Sequence, residues 1–181
     1  LNVDLIFNFP SQTEAMLDRD LALVEACRAD QVTFYPLMAS AATRRALARS
    51  VGEVSYEREA RFYHRIWNGL ASAFRPSSAW CFTRRGATLI DEYIVDHDEY
   101  IGVGSGAFSY LGGAVYANTF SLGAYRAAVD AGRFSTSAMK QFSAREQMRY
   151  SLLMGLFALR LDKAAFRARH GPSIDRGLAL E

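Results

Sequence analysis

The densest run of residues able to do chemistry is Gly102-Val103-Gly104-Ser105-Gly106. Glycines this close together permit positive φ and let a ligand lie against bare backbone with no Cβ in the way. A tight bend or bulge at a sheet edge would use the same run. It is not G-x-G-x-x-G, and no clear helix follows to offer a phosphate its N-terminus, so spacing alone favours the bend. A second run, Asp91-Glu92 followed by Asp96-His97-Asp98-Glu99, holds hard oxygen donors and one nitrogen donor of the kind that bind metals. It is contiguous and has no EF-hand pattern, so a solvated acidic loop is the simpler reading and no metal is assigned.

The remaining candidates are scattered. His64 falls on a segment with an aromatic face and reads as a core histidine, while His170 reads as a cation at a helix end. Neither has a nucleophilic Cys or Ser beside it, and no catalytic residue is assigned. Cys27 lies on the apolar side of a helix and Cys81 in a strand, so both read as buried and inert. Two cysteines alone do not build a zinc or iron–sulfur site. Asp4 is more informative, because a carboxylate inside an apolar strand is costly unless paired. A ribose hydroxyl, an ammonium group or the arginine of a neighbouring strand would each satisfy it, and ligands gather at the C-terminal ends of parallel strands.

These residues need a frame to position them. Val3 to Phe9 reads as a buried strand, closed by Pro10. Ser11 and Glu14 have capping-box spacing before a helix with Leu17, Leu21 and Val24 on one face. Gln31 to Met38 is β-branched and aromatic, a second strand, and strand–helix–strand at this spacing is a parallel βαβ unit. Thr43 to Val51 is Arg-rich and reads as a loop or short helix. From Ser55 to Phe74, residues Tyr56, Ala60, Tyr63, Trp67, Leu70 and Phe74 recur at helical spacing and predict a long aromatic-faced helix. Ser78 to Thr83 is read as a third parallel strand. Gly112-Gly113 between two aromatic alternating runs predicts a hairpin. Beyond residue 120 the pattern turns helical: Ser121 to Arg133, a helix capped by Ser143 and Glu146 with Met148, Leu152, Leu156 and Leu159 inward, and Ala164 to His170. The expected organisation is an α/β part over residues 1–120 and a mostly α-helical part over 121–181.

Composition bounds what such a frame can serve. The chain has 181 residues, half of them hydrophobic, with 13% aromatic and 22% charged, which excludes disorder and supports a real core. Its two cysteines exclude a disulfide scaffold. A net charge of +2, from 21 basic and 19 acidic residues, leaves no footprint for nucleic acid or anionic lipid. No apolar run approaches the roughly 20 residues of a membrane span. The chain starts at Leu1, already inside a strand-like run, and is expected to be a piece of something longer.

The ordered segments carry a resemblance. Asp4-Leu5-Ile6-Phe7-Asn8-Phe9-Pro10-Ser11-Gln12-Thr13 resembles the D-L-I-x-G-L-P-x-Q-T strand and turn of the oxygen-independent coproporphyrinogen III oxidase-like radical S-adenosylmethionine (SAM) enzymes. Phe34-Tyr35-Pro36-Leu37 is similar to that family's next strand, and Tyr100 to Ser109 to its Y-L-G-I-G-x-G-A-x-S segment. Leu159-Arg160-Leu161-Asp162, with Phe166 and Gly171 after it, is similar to the start of the family's C-terminal helical domain.

The resemblance implies the last strands of a partial (β/α) barrel followed by a truncated helical domain. It also implies SAM and a [4Fe-4S] cluster in the full-length protein, with the cluster's cysteines upstream. By the same resemblance SAM lies against Asp4, Met38, Gly104, Gly106, Ala107 and Phe108. Asn8-Phe9 stands where the family has Gly-Leu, and Phe82-Thr83-Arg84-Arg85-Gly86 with Asp91 to Asp96 replaces a His-Asn-x-x-Tyr-Trp run. Those departures lean toward the branch that opens haem anaerobically with methyl transfer, and they make Arg84 and Arg85 candidate partners for porphyrin propionates. The implied protein is a cytoplasmic oxidoreductase fed by an electron donor, with a haem-binding or haem-delivery protein of the same fold as the alternative. The fragment alone is expected to be inactive and to associate through an exposed strand edge.

Overall fold

The computed structural model describes residues 1–40, 43–87 and 98–171. It divides into two compact units, Leu1–Asp91 and Glu92–Glu181, each described below by itself.

Alternation in the first two strands decides which face of the first sheet is covered. Strands β1 (Asn2–Phe7) and β2 (Gln31–Pro36) run parallel, with Asp4 against Thr33 and Ile6 against Tyr35. Residues paired in this way share a face, and successive residues alternate between faces. Val3, Leu5, Phe7, Val32 and Phe34 therefore point to one side. There they pack with Leu17 and Val24 of helix α1 (Glu14–Ala26) and with Phe62, Ile66 and Leu70 of helix α3 (Tyr56–Leu70). Each fully buried side chain of this size stabilises the unit by about 1.5–3 kcal/mol. The strand–helix–strand reading holds. The cap does not: Thr13 rather than Ser11 accepts the Met16 amide at the start of α1, because the chain is still turning at Ser11.

Between β2 and α3 lies the short helix α2 (Arg44–Ser50). After α3 the chain forms β3 (Phe74–Pro76) and β4 (Cys81–Arg84), and the sheet order is β1-β2-β4-β3. Strand β4 is antiparallel to both β2 and β3, which corrects the expected third parallel strand over Ser78 to Thr83. The strand that shares the direction of β1 and β2 is the edge strand β3. The β3–β4 hairpin then inserts its return strand beside β2, a pairing that residue type alone does not distinguish. Helix α3 also differs from expectation. Phe62, Ile66 and Leu70 form its buried stripe, Tyr56 is exposed, and Phe74 belongs to β3.

The second unit is built on the hairpin of β5 (Phe108–Leu111) and β6 (Ala114–Asn118), turned at Gly112 and Gly113 with φ of 59° and 73°. Two consecutive left-handed residues match the right-handed twist of a hairpin, which is what the Gly-Gly pair supplies. Helix α4 (Leu122–Asp130) follows, and then strand β7 (Thr136–Gln141) pairs with β6, giving the order β5-β6-β7. Residues 121–171 therefore hold a strand as well as helices.

Helix α5 (Ala144–Phe157) opens with the expected capping box of Ser143 and Glu146. Of its expected inward face Met148 is buried, whereas Leu156 is exposed, as is Leu159 beyond the helix end. Tyr110 is buried with its ring 4.2 Å from that of Tyr150 and 5.9 Å from that of Phe142, and burial raises its hydroxyl pKa. Helix α6 (Lys163–His170) begins at Asp162, whose carboxylate accepts the Ala164 and Ala165 amides. Among the described residues no helix is long and apolar enough to cross a membrane.

Candidate functional site

The side of the first sheet turned away from α1 and α3 carries Asp4, Ile6, Gln31, Thr33, Tyr35, Cys81 and Thr83. Its polar members are not a second hydrophobic core, since buried polar groups need partners. Thr83 meets Ser77 across 2.6 Å. Three of these seven remain open. Asp4 is exposed, Ile6 is 52% exposed and Tyr35 39%, its ring edge-on to Trp80 at 5.8 Å. Asp4 is therefore not the buried carboxylate expected from its strand, and among the described residues it has no ion-pair partner. The alternation of β1 gives the reason: Asp4 points opposite to Leu5. Met38, 64% exposed, lies two residues beyond the end of β2, on the same end of the sheet as the β1–α1 turn.

The C-terminal end of β1 is held by a side-chain clamp. Asn8 is buried at φ 70°, a left-handed conformation that glycine adopts freely and asparagine tolerates better than most residues. That explains how asparagine can stand where the resembled motif has glycine. The Gln12 side-chain Oε1 accepts the backbone N–H of Asn8 at 2.8 Å. Arg58, in the first turn of α3, donates to Asn8 Oδ1 at 2.9 Å, to the Pro10 carbonyl at 3.0 Å and to the Asn8 carbonyl at 3.3 Å. Asn8 Nδ2 donates in turn to the carbonyl of Ser55, whose side chain caps α3. The β1–α1 turn and the start of α3 are thus one rigid piece at the end of the sheet where ligands of parallel strands gather. Sequence reasoning missed Arg58 and Gln12 as positioning residues. The signal was the Gln-Thr of the motif, whose Gln holds the turn and whose Thr caps the helix.

In the second unit the glycine run folds back on its own hairpin. The Gly102 amide donates to Ser109 Oγ at 3.0 Å, and Asn118 Nδ2 donates to the carbonyls of Gly104 and Gly102 at 3.0 and 3.4 Å. A Cβ at Gly102 would stand 2.1 Å from the Phe108 carbonyl oxygen, and one at Gly106 would meet the Phe120 ring at 2.9 Å. Packing within the hairpin therefore accounts for these two glycines. At Gly104, with φ of 115°, a Cβ would meet nothing within 4 Å, so this glycine borders open space. Ala107 is half-buried, and Phe108 is half-exposed with its ring 6.1 Å from that of Phe120. Asn118, which pins the loop, was not anticipated from the sequence.

No family model matches the chain, and no curated protein does. The structural comparison is different. Coproporphyrinogen III oxidase from Escherichia coli, described as a radical SAM enzyme, superposes on 93% of this chain with a TM-score of 0.65 at 18% sequence identity. The chain has the fold of a part of that oxidase. It spans 43% of the oxidase's length. At this identity the likeness is one of fold.

Arg84 and Arg85, expected as partners for propionates, are engaged within the first unit. Arg84 lies at the opposite end of the sheet, where Thr83 pairs with Gln31 at the start of β2, and on the helix-covered side. Its guanidinium sits 4.5 Å over the Phe74 ring, donates to the Ala29 carbonyl at 2.7 Å and pairs with Glu25 at 3.2 Å near the end of α1. Arg85 donates to the carbonyl of Ala71 at the end of α3. Arg85 serves the open C-terminal end of α3, whose carbonyls lack partners of their own, and Arg84 ties the turn after α1 to Glu25 in that helix's last turn.

The histidines and cysteines also differ from expectation. His64 is exposed, because the buried stripe of α3 runs through Phe62 and Ile66 instead. His170 stacks on Phe166 at 4.8 Å, and burial lowers its pKa. Cys81 is buried as expected, whereas Cys27 is exposed at the C-cap of α1. Among the described residues no group of three metal-ligating side chains forms. Asp91, Glu92, Asp96 and His97 lie outside the described residues. Asp98 pairs with Arg169 at 2.8 Å, and Glu99 accepts the Gly112 amide at 2.7 Å.

Proposed function

We propose that this chain is the C-terminal part of a cytoplasmic radical SAM enzyme that acts on a tetrapyrrole. The reading rests on one observation above others, the superposition of nearly the whole chain on coproporphyrinogen III oxidase. The matching order of strand, turn and glycine segments supports it. In this reading β1 and β2 are the last parallel strands of a partial (β/α) barrel, and the open side of the sheet faces the barrel interior. The donor set fits a nucleoside: an exposed Asp4 carboxylate can accept both hydroxyls of a ribose, with Ile6 apolar beside it. Within the first unit Met38 is the further proposed SAM contact. Within the second, the glycine segment is by itself a proposed ligand wall, with Gly104, Ala107 and Phe108 toward the ligand and Gly106 supporting the loop.

The donor set does not fit a [4Fe-4S] cluster. Cys27 ends a helix and Cys81 is buried in a strand, so the ligands are assigned to sequence upstream of Leu1. When bound, SAM supplies radical chemistry, and this chain's residues bind and orient it and keep water away. The 181 residues alone are expected to be inactive. Strand β1 is the outer strand of its sheet, and through it the isolated chain is expected to pair with a second copy.

The test is release of 5′-deoxyadenosine by the reconstituted full-length protein under reductant. Release that depends on an added tetrapyrrole supports the reading. Stable haem binding with no such release would make the protein a haem carrier and overturn it.

A further inference from the structure

Helix α2 is arginine-rich without compensation. At about 100° per residue, Arg44, Arg45 and Arg49 share one arc of about 140°. All three are exposed, and among the described residues none forms an ion pair. Arg49 Nε donates only to the carbonyl of Arg45 within the helix. Elsewhere in the unit Arg65 is committed to Asp18 and Glu14, Arg58 to the β1–α1 turn and Arg84 to Glu25 and Ala29. Arg19, Arg28 and Arg75 are also exposed without an ion pair among the described residues, but they stand on separate elements rather than three to one helix. Like charges at i and i+4 destabilise a helix, and arginines in a first turn oppose its dipole. The arrangement is unfavourable for folding and favourable for meeting an anion.

Its position adds a second argument. The helix follows β2, on the ligand-bearing end of the sheet. A Cβ at Gly52, just beyond α2, would stand 2.9 Å from Pro10 Cβ, so this segment abuts the β1–α1 turn. A cavity of about 260 Å³ opens there, walled by Arg44, Leu47, Gly52, Glu53 and Tyr56. Arg44 is the one arginine in that wall and Glu53 its one carboxylate. Arg45 and Arg49 stand outside it on the same arc of α2, so the surplus of positive charge belongs to the helix.

We propose that Arg44, Arg45 and Arg49 form the subsite for the carboxylate arms of the substrate, the role that Arg84 and Arg85 cannot fill from the far end of the sheet. Guanidinium groups bind carboxylates through paired, charge-assisted hydrogen bonds. The subsite rests on the tetrapyrrole reading, and the flanking Leu47 and Tyr56 offer apolar and aromatic surface beside the charges.

The test titrates the full-length protein with coproporphyrin, a tetracarboxylate, and with its tetramethyl ester in the same detergent. The triple variant R44A/R45A/R49A is expected to bind the acid more weakly by about tenfold for each guanidinium–carboxylate pair removed, with ester binding unchanged. R85A, at the opposite end, should bind both like the wild type. Equal acid binding by wild type and triple variant overturns the subsite and leaves the tetrapyrrole reading standing. Equal losses for acid and ester also overturn it, since the arginines would not be reading carboxylates. Failure of the wild type to bind either porphyrin overturns the tetrapyrrole reading and the subsite together.

Discussion

The two ends of the first unit's sheet both carry arginines and use them in opposite ways. At the N-terminal end of β2, Arg84 answers the Ala29 carbonyl in the turn after α1, and Arg85 the Ala71 carbonyl at the end of α3. At the C-terminal end, Arg58 fixes a turn, and Arg44, Arg45 and Arg49 answer no carboxylate among the described residues. The same side chain is structural where the fold brings acceptors to it and available where the fold withholds them. Residue type therefore says little about an arginine's role until the direction of its strand is known.

This contrast can be broken by mutation. Replacing Arg84 with Ala should have the largest effect on stability, about 2–3 kcal/mol by urea unfolding, because it removes the charge-assisted bond to the Ala29 carbonyl and uncovers Phe74. Binding of ligands at the other end should be unchanged. Replacing Arg58 with Ala should cost about 2 kcal/mol, since three hydrogen bonds to the turn disappear. At the turn itself Asn8→Gly should be milder than Asn8→Ala, by about 1 kcal/mol, because glycine accepts the left-handed backbone and alanine does not. If the two were equally stable, the conformational account of Asn8 would fail.

Smaller effects sharpen the same picture. Thr13→Ala should cost about 1 kcal/mol and Ser11→Ala under about 0.5 kcal/mol, since only Thr13 caps α1. The arginines of α2 should change stability by no more than about 0.5 kcal/mol on replacement by Ala. The last effect is in the second unit. There the Glu146 carboxyl is held at about 2, below its ordinary 4.5, by Lys140 at 2.7 Å and by the Ser143 hydroxyl and amide. A depressed pKa favours the folded state above the ordinary value. Its contribution should therefore be complete above about pH 5 and fade as pH falls toward 2. Acid titration of the α5 N-terminus by hydrogen exchange should show that loss in the wild type and not in E146Q.

Much of the frame was legible because it is written in periodicity. An apolar run closed by proline located β1, β-branched and aromatic residues located β2, the 3.6-residue period located α1, and Gly112-Gly113 located the hairpin. What escaped depends on partners distant in sequence. Strand β4 reads as a strand from its own residues, but its direction comes from the hairpin with β3. Cys27 lies on a helix that predicts burial, yet it is the cap residue at the end, where the packed stripe has stopped. Asp4 was singled out for the right reason, an acid among apolar neighbours, and misread as buried because alternation turns it to the open face. Arg84 and Arg85 were chosen for charge and place in a motif, and only the tertiary position of two helix ends reveals their work.

The most direct measurement compares SAM affinity in the full-length reconstituted protein for Asp4→Asn and Arg84→Ala, by equilibrium dialysis. The expected result is an affinity about tenfold lower for Asp4→Asn, from the removal of one charge-assisted hydrogen bond, and wild-type affinity for Arg84→Ala at a temperature where it remains folded. Unchanged affinity in Asp4→Asn together with weakened binding in Arg84→Ala would contradict the assignment of the open face as the ligand-bearing side.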